Sequence, residues 1–221
     1  ASWWEGFLGL YQNETTVEDL VSKGYKKVRI PKFEDKDPEQ CAMIRTIIDS
    51  YNDSKVVFLL EQDTFKRDTS VGIPILREKF YSCLKRKEDH LSYDDHCFNI
   101  AIHVRRNVVI NNRTIDEPEE IKKRRYTGVE YYITVLKNIL NSIQVERPVK
   151  IYLFSQADPK EFDVLKKYGE VKYCFDMDEK TFFLHLIHAD LLITSKSSFS
   201  YSAAVLSNGI IVGIPDYWQD Y

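Results

Sequence analysis

Glycine and proline are scarce in this chain, eight and seven residues among 221. Little material is left for long flexible linkers or low-complexity segments, and no internal repeat is present. No apolar run approaches the roughly 20 residues that cross a bilayer, so no membrane span is expected. An excess of positive charge is also missing. Against 31 Lys and Arg stand 34 Asp and Glu, a net charge of −3. That balance excludes broad, sequence-independent nucleic-acid binding, which needs a strongly basic face. Cysteine is limited to Cys41, Cys83, Cys97 and Cys174, with no C-x-x-C pair. Zinc spacing is therefore absent. Free thiols in a reducing, cytoplasmic setting are expected rather than a disulfide framework. The opening residues 1–6 contain no basic leader, no cleavage signal and no initiator Met. They lead us to expect that an upstream segment was removed and that adjacent domains of a longer polypeptide exist. The N-x-[ST] triplets at Asn13, Asn52 and Asn112 read as chance matches.

What is present is an ordinary globular composition, 43% hydrophobic and 29% charged. The second half alternates strand and helix patterns. Strands are expected over Phe98–Val104, Val149–Phe154, Val171–Phe175, Leu191–Thr194 and Ile210–Ile214. Helices are expected over Gly128–Ile143, Pro159–Tyr168, Glu179–His188 and Ser198–Leu206. This alternation predicts βαβ units and a Rossmann-type parallel sheet. The first half is less regular, with strands expected at Lys27–Ile30 and Lys55–Glu61 and helices at Pro38–Tyr51 and Ile75–Lys87. The charged stretch Lys85–Asp95 reads as a solvated connector. The expected organisation is a small α/β part over residues 1–95 and a nucleotide-binding domain over residues 96–221.

One segment stands out. Ile100-Ala101-Ile102-His103-Val104 is an apolar run that leads straight into Arg105 and Arg106. Ligands of open α/β sheets bind at the carboxyl ends of strands, and guanidinium forks onto phosphate. A phosphorylated ligand, a nucleotide, is the first expectation. A second segment, Thr194 to Tyr201, is rich in serine between a strand and a helix. Thr194, Ser197 and Ser198 there can meet an anion at a helix N-terminus, although one serine is explained by capping alone. A third strand end carries Ser155 and Asp158, which read equally as contacts to a base or ribose and as a cap ahead of Pro159. In a parallel sheet these three ends share one edge.

In order, His103-Val104-Arg105-Arg106, Phe154-Ser155 with Asp158-Pro159, and Ser197-Ser198-Phe199-Ser200 before a small-residue helix resemble the α1,2- and α1,6-fucosyltransferase superfamily. The upstream stretch Leu59–Phe80 is compatible with that family too, so the resemblance covers about residues 55–214. It implies a GT-B-like fold and an inverting transfer from a GDP- or UDP-linked sugar to a glycan acceptor. It implies Arg105 on the β-phosphate, stabilising the diphosphate leaving group. Arg106 is the second guanidinium of the pair, His103 positions the nucleotide, and Ser197 and Ser198 contact phosphate. No metal is expected, because arginine and a helix N-terminus take its place. The chain departs from the family pattern at Asn107, where an Asp is usual, and at Tyr201-Ser202, where tryptophans are usual; the glycine-rich opening is absent. These departures widen the donor to fucose, rhamnose or xylose. The brevity is similar to that of compact algal-virus glycosyltransferases, which implies a viral protein in host cytoplasm.

Inversion also needs a base for the acceptor hydroxyl. Asp116 and Glu117 lie in the charged stretch after the arginines, expected to be a mobile surface loop, and Asp63 follows the strand at residues 55–61. Each is a candidate, and each carboxylate is explained as well by a solvated charge run. Asp176-Met177-Asp178 forms a D-x-D, the metal-holding pattern of GT-A enzymes, but also sits where acidic residues favour the start of a helix. His185 and His188 read as packing histidines. The terminal aromatics Trp3, Trp4, Tyr217, Trp218 and Tyr221 read mainly as packing. Two other classes stay open: a non-catalytic nucleotide- or carbohydrate-binding domain of a larger enzyme, and a metal-dependent GT-A transferase using Asp176 and Asp178.

Overall fold

The computed structural model describes residues 3–10, 14–34, 36–61, 72–106, 108–110, 113–115 and 117–215. The chain forms two compact units, residues 1–68 and 69–221. The expected boundary near residue 95 lies inside the second.

In the first unit, α1 (Trp3–Leu8) and α2 (Val17–Ser22) precede β1 (Lys26–Arg29), and α3 (Pro38–Asp49) leads to β2 (Val56–Leu59). The two strands pair in parallel, with Val28 opposite Phe58. A parallel pair needs a crossover, and α3 provides it. Thr16 and Asp19 form a reciprocal capping box at α2. Asp37 accepts from the amides of Glu39 and Gln40 at the start of α3. Pro38 fills the first helical position, where a missing N–H is harmless.

The second unit begins with α4 (Gly72–Ser82) and a 3-10 turn at Leu84–Glu88, then β3 (Phe98–Val104). A hairpin of β4 (Val108–Ile110) and β5 (Arg113–Ile115) follows, then α5 (Glu119–Arg125) and α6 (Val129–Ser142). Next come β6 (Val149–Ser155), a 3-10 helix at Pro159–Lys167 and β7 (Glu170–Tyr173). The chain ends with α7 (Glu179–His188), β8 (Leu191–Ile193), α8 (Ser198–Leu206) and β9 (Ile210–Val212). The parallel sheet has the order β7-β6-β3-β8-β9. The fold is α/β, as the sequence pattern predicts.

Both faces of the sheet are covered, which is why β3 is apolar nearly throughout. Ile100, Ile102 and Val104 pack with Tyr132 and Leu136 of α6 and with Phe162 and Leu165 of the 3-10 helix. The alternate residues point to α7 and α8. There the ring of Phe154 stacks on Phe182 at 4.9 Å, and His103 meets Phe182 edge-on at 5.3 Å. Against α8 lies α4: Arg77 Nε donates to the Val205 carbonyl at 2.7 Å and the Tyr81 hydroxyl to Leu206 O at 3.0 Å. These donors satisfy carbonyls that a helix C-terminus leaves open. A side chain at Gly209 would meet the Ala189 carbonyl at 2.2 Å, so the turn into β9 requires glycine.

From β3 the chain steps outward to β6 and β7, then crosses back through α7 to β8 and β9. The reversal puts the topological switch point between β3 and β8, and ligands of such sheets bind in the crevice there.

Three expectations are corrected. Residues 107–125 are not simply a surface loop: β4 and β5 pair antiparallel and α5 follows. Residues 159–167 are 3-10 rather than α-helical. Lys85–Asp95 is a solvated connector only in part: Lys87, His90, Leu91, Ser92 and Asp95 are exposed, but others pack. Arg86 pairs with Asp89 at 3.2 Å, both side chains largely covered, and lies 4.4 Å over the Phe80 ring. Ser92 and Tyr93 bond to His185 of α7. Alternating charges hid residues that pack through their stems and rings.

Candidate functional site at the carboxyl edge of the sheet

β3 lies between β6 and β8, so the three polar strand ends share one edge, as expected from the sequence. They do not share one face. Side chains alternate along a strand. His103 turns toward α7 and α8, and Ser155, in register with Val104, turns toward α6.

On the α7/α8 face, His103 is buried, and its Nδ1 lies 2.9 Å from Ser195 Oγ. Ser195 N–H donates to Ser200 Oγ at 3.3 Å, and the Ser200 hydroxyl points to the carbonyls of Ser195 and Ser197 at 3.4 and 3.3 Å. Burial pushes the His103 imidazole down to about 3, and the Arg105 charge acts in the same direction. The ring is therefore neutral at ordinary pH. Thr194 is buried and bonds through N–H and hydroxyl to the Val212 carbonyl of β9. Ser197 Oγ caps α8 by accepting from Phe199 N–H at 3.3 Å, and Ser198 opens the helix exposed to solvent. Of the serine-rich segment, then, Ser198 faces outward while Thr194 and Ser197 build the turn.

Arg105 follows β3 with its side chain 25% exposed and its buried Nε without a partner. Its Nη2 lies 3.9 Å from Glu117 Oε1, and Arg125 Nη1 bonds the same oxygen at 2.8 Å. Glu117 is only 7% exposed and its Oε2 is unpartnered. It is a bridge between two guanidiniums. Arg106 points the other way. It donates to the Arg105 and Thr127 carbonyls at 3.0 and 3.1 Å, pairs with Glu161, and lies 5.5 Å from the Tyr126 ring centroid. Those contacts occupy Arg106 in holding α6 and the 3-10 helix to the strand end, so of the arginine pair Arg105 alone offers an open guanidinium edge.

Ser155 is buried and its Oγ has no partner. Asp158 is exposed and caps the 3-10 helix by accepting from Lys160 N–H at 3.0 Å. Asp178 caps α7 through the amides of Lys180 and Thr181, both at 3.1 Å, while Asp176 is exposed. Hydrogen bonds from Thr181 hold the Asp178 carboxyl below its usual range. Among the described residues no group of three or more His, Cys, Asp and Glu side chains is arranged to hold a metal. Asp63 and Asp116 lie outside the described residues, as do Tyr217, Trp218 and Tyr221.

Sequence reading did not single out Ser195, Ser200, Arg125, Thr127 or Glu161 as partners of the site. Ser195 and Ser200 lay in plain view within the serine cluster, but their spacing does not say which hydroxyl turns inward. His185 and His188 are packing residues, as expected. His185 bonds Thr181 O and Ser92, and His188 packs on Phe80 and Tyr81.

No protein-family model and no curated protein matches this chain. Among solved structures, it is similar to two crystal structures of POFUT1 in complex with GDP. The first has TM-score 0.43 and 13% identity, with 81% of this chain and 60% of that chain covered. The second has TM-score 0.47 and 11% identity, with 95% and 82% covered. This chain thus spans less than two thirds of the first of these structures. Among the described residues no helix is long and apolar enough to cross a membrane.

Proposed function

We propose that the chain is a GT-B-like, inverting glycosyltransferase that uses a GDP- or UDP-linked deoxyhexose or pentose and a glycan acceptor, with no metal required. The observation that carries this reading is Arg105. Its guanidinium sits at the carboxyl end of the central strand, beside the switch point, partly open to solvent and backed by Glu117. A diphosphate is the anion that suits a preorganised fork of this kind. The start of α8, with Ser198 outermost, lies on the same sheet edge and contributes amides and the positive end of its dipole. His103 lines the crevice, and Ser155 offers an unpartnered hydroxyl on the opposite face. In this scheme departure of the nucleoside diphosphate is eased by Arg105, which holds the charge that develops on the β-phosphate. The residue that takes the acceptor proton is sought at Asp116, Glu117 or Asp63, of which Glu117 lies beside Arg105 and Arg125. The first unit is the acceptor side in this reading.

The test is Arg105→Ala in the full chain, with GDP and UDP binding and sugar transfer measured beside the melting temperature. Affinity for the matching diphosphate is expected to fall about 10–100-fold, as for loss of a charge-assisted bond pair, and transfer to be lost, while the fold persists. Unchanged turnover would overturn the assignment. Binding that collapses with EDTA would move the site to Asp176 and Asp178. Diphosphate binding without transfer of any sugar would favour the non-catalytic domain.

A further inference from the structure

A histidine buried at a ligand edge must present one of two faces, a ring N–H or a bare nitrogen lone pair. Which one is set by what the other nitrogen bonds. His103 Nδ1 faces Ser195 Oγ at 2.9 Å. Its Nε2 has no hydrogen-bond partner among the described residues.

The donor accounting around Ser195 is restrictive. The Ser200 hydroxyl proton has two carbonyl acceptors, Ser195 O and Ser197 O, and its oxygen already accepts from Ser195 N–H. The Ser195 hydroxyl proton then has two candidate acceptors, His103 Nδ1 at 2.9 Å and Ser200 Oγ at 3.5 Å. The first is a normal hydrogen bond and the second sits at the limit of one. If Nδ1 carried the proton, the Ser195 hydroxyl would keep only the poor acceptor. The rings of Phe182 and Phe199 flank the imidazole edge-on at 5.3 and 6.2 Å and fix its plane. We propose that Ser195 is a positioning residue: its hydroxyl donates to His103 Nδ1 and so holds the ring as the Nε2–H tautomer, a neutral hydrogen-bond donor aimed at an acceptor oxygen or nitrogen of the nucleotide. Arg105 is the charged group that acts on the ring, and with burial it keeps the ring unprotonated. The donor therefore adds direction without adding charge. This inference rests on the reading of the edge as a nucleotide site.

The fold supplies its own reference. His185 is also buried, but Ser92 N–H donates to its Nε2 at 3.0 Å and its Nδ1 faces the Thr181 carbonyl at 2.6 Å. A backbone amide can only donate, so His185 must be the Nδ1–H tautomer. The two histidines are thus held in opposite tautomers.

The experiment is a long-range 1H–15N spectrum of the imidazoles in the 15N-labelled full chain at pH 7, with His103 assigned by its disappearance in His103→Gln. His103 is expected as Nε2–H and His185 as Nδ1–H in the same spectrum. An Nδ1–H or doubly protonated His103 overturns the proposal. Titration with GDP and UDP follows in wild type, Ser195→Ala and Ser195→Thr. Ser195→Ala should weaken the matching diphosphate about five- to tenfold, the loss of one oriented hydrogen bond, and shift His103 toward Nδ1–H. Ser195→Thr, which keeps the hydroxyl, should restore both. Wild-type affinity in Ser195→Ala overturns the positioning role. If wild type binds neither diphosphate, the nucleotide reading fails and the ligand half of the proposal with it, while the ring spectrum still decides what Ser195 does to His103.

Discussion

His103, His185 and His188 are all held below the ordinary histidine range, chiefly by burial. That has a consequence for stability. A depressed pKa means that the unfolded chain takes up protons first as pH falls. Stability is therefore full above about 6.5 and declines as pH drops, for His103 down to its folded value of about 3. The slope approaches ~1.4 kcal/mol per pH unit for each histidine involved. Carboxylates held below their usual range, such as Asp178, add their losses only below about pH 4. Thermal melts between pH 8 and pH 4.5 should show a falling melting temperature, with a shallower slope in His103→Gln. An equal slope in the two proteins would show that His103 takes up its proton without unfolding. At the same scale Arg106 is placed differently from Arg105. The doublet Arg105-Arg106 invites a shared role, but one guanidinium opens toward solvent while the other braces α6. Arg106→Ala is expected to cost about 2–4 kcal/mol, because Glu161 and two carbonyls lose their partner. Urea titration of the variant measures it.

At the scale of elements, the D-x-D motif divides into one helix cap and one exposed carboxylate. Asp178→Ala should cost about 1 kcal/mol, the value of an N-cap, and leave diphosphate affinity within twofold. Asp176→Ala should change neither. Loss of binding in both variants, reversed by no cation-free condition, would contradict the capping role. The elements themselves were legible where apolar period and caps agreed. Glu179–His188 and Ser198–Leu206 match their expected bounds. The hairpin at residues 108–115 was not, because three-residue strands present too short an alternation. The 3-10 geometry of residues 159–167 was not either. Pro159 and Asp158 announce a helix start, and nothing in the periodicity distinguishes its pitch.

At the scale of the whole molecule, every described residue of the candidate donor site falls in the unit spanning 69–221. A chain beginning at Thr69 is expected to unfold cooperatively, since the five-stranded sheet and both its helical layers lie within it. A chain beginning at residue 96 would lack Ser92 and Tyr93, leaving the buried His185 Nε2 without its donor. It should melt several degrees lower or fail to fold. Calorimetry of the two fragments decides between these divisions. The sequence by itself determined the α/β class, the parallel sheet, the apolar β3 strand and the shared edge of its three polar ends, because period, composition and strand-end chemistry are local properties. Only tertiary structure decided which polar side chains meet. Ser195 lies 92 positions from His103, and Glu161 lies 55 from Arg106. Such pairings are set by strand order and by the face each side chain takes, and neither is written in the spacing of residues along the chain.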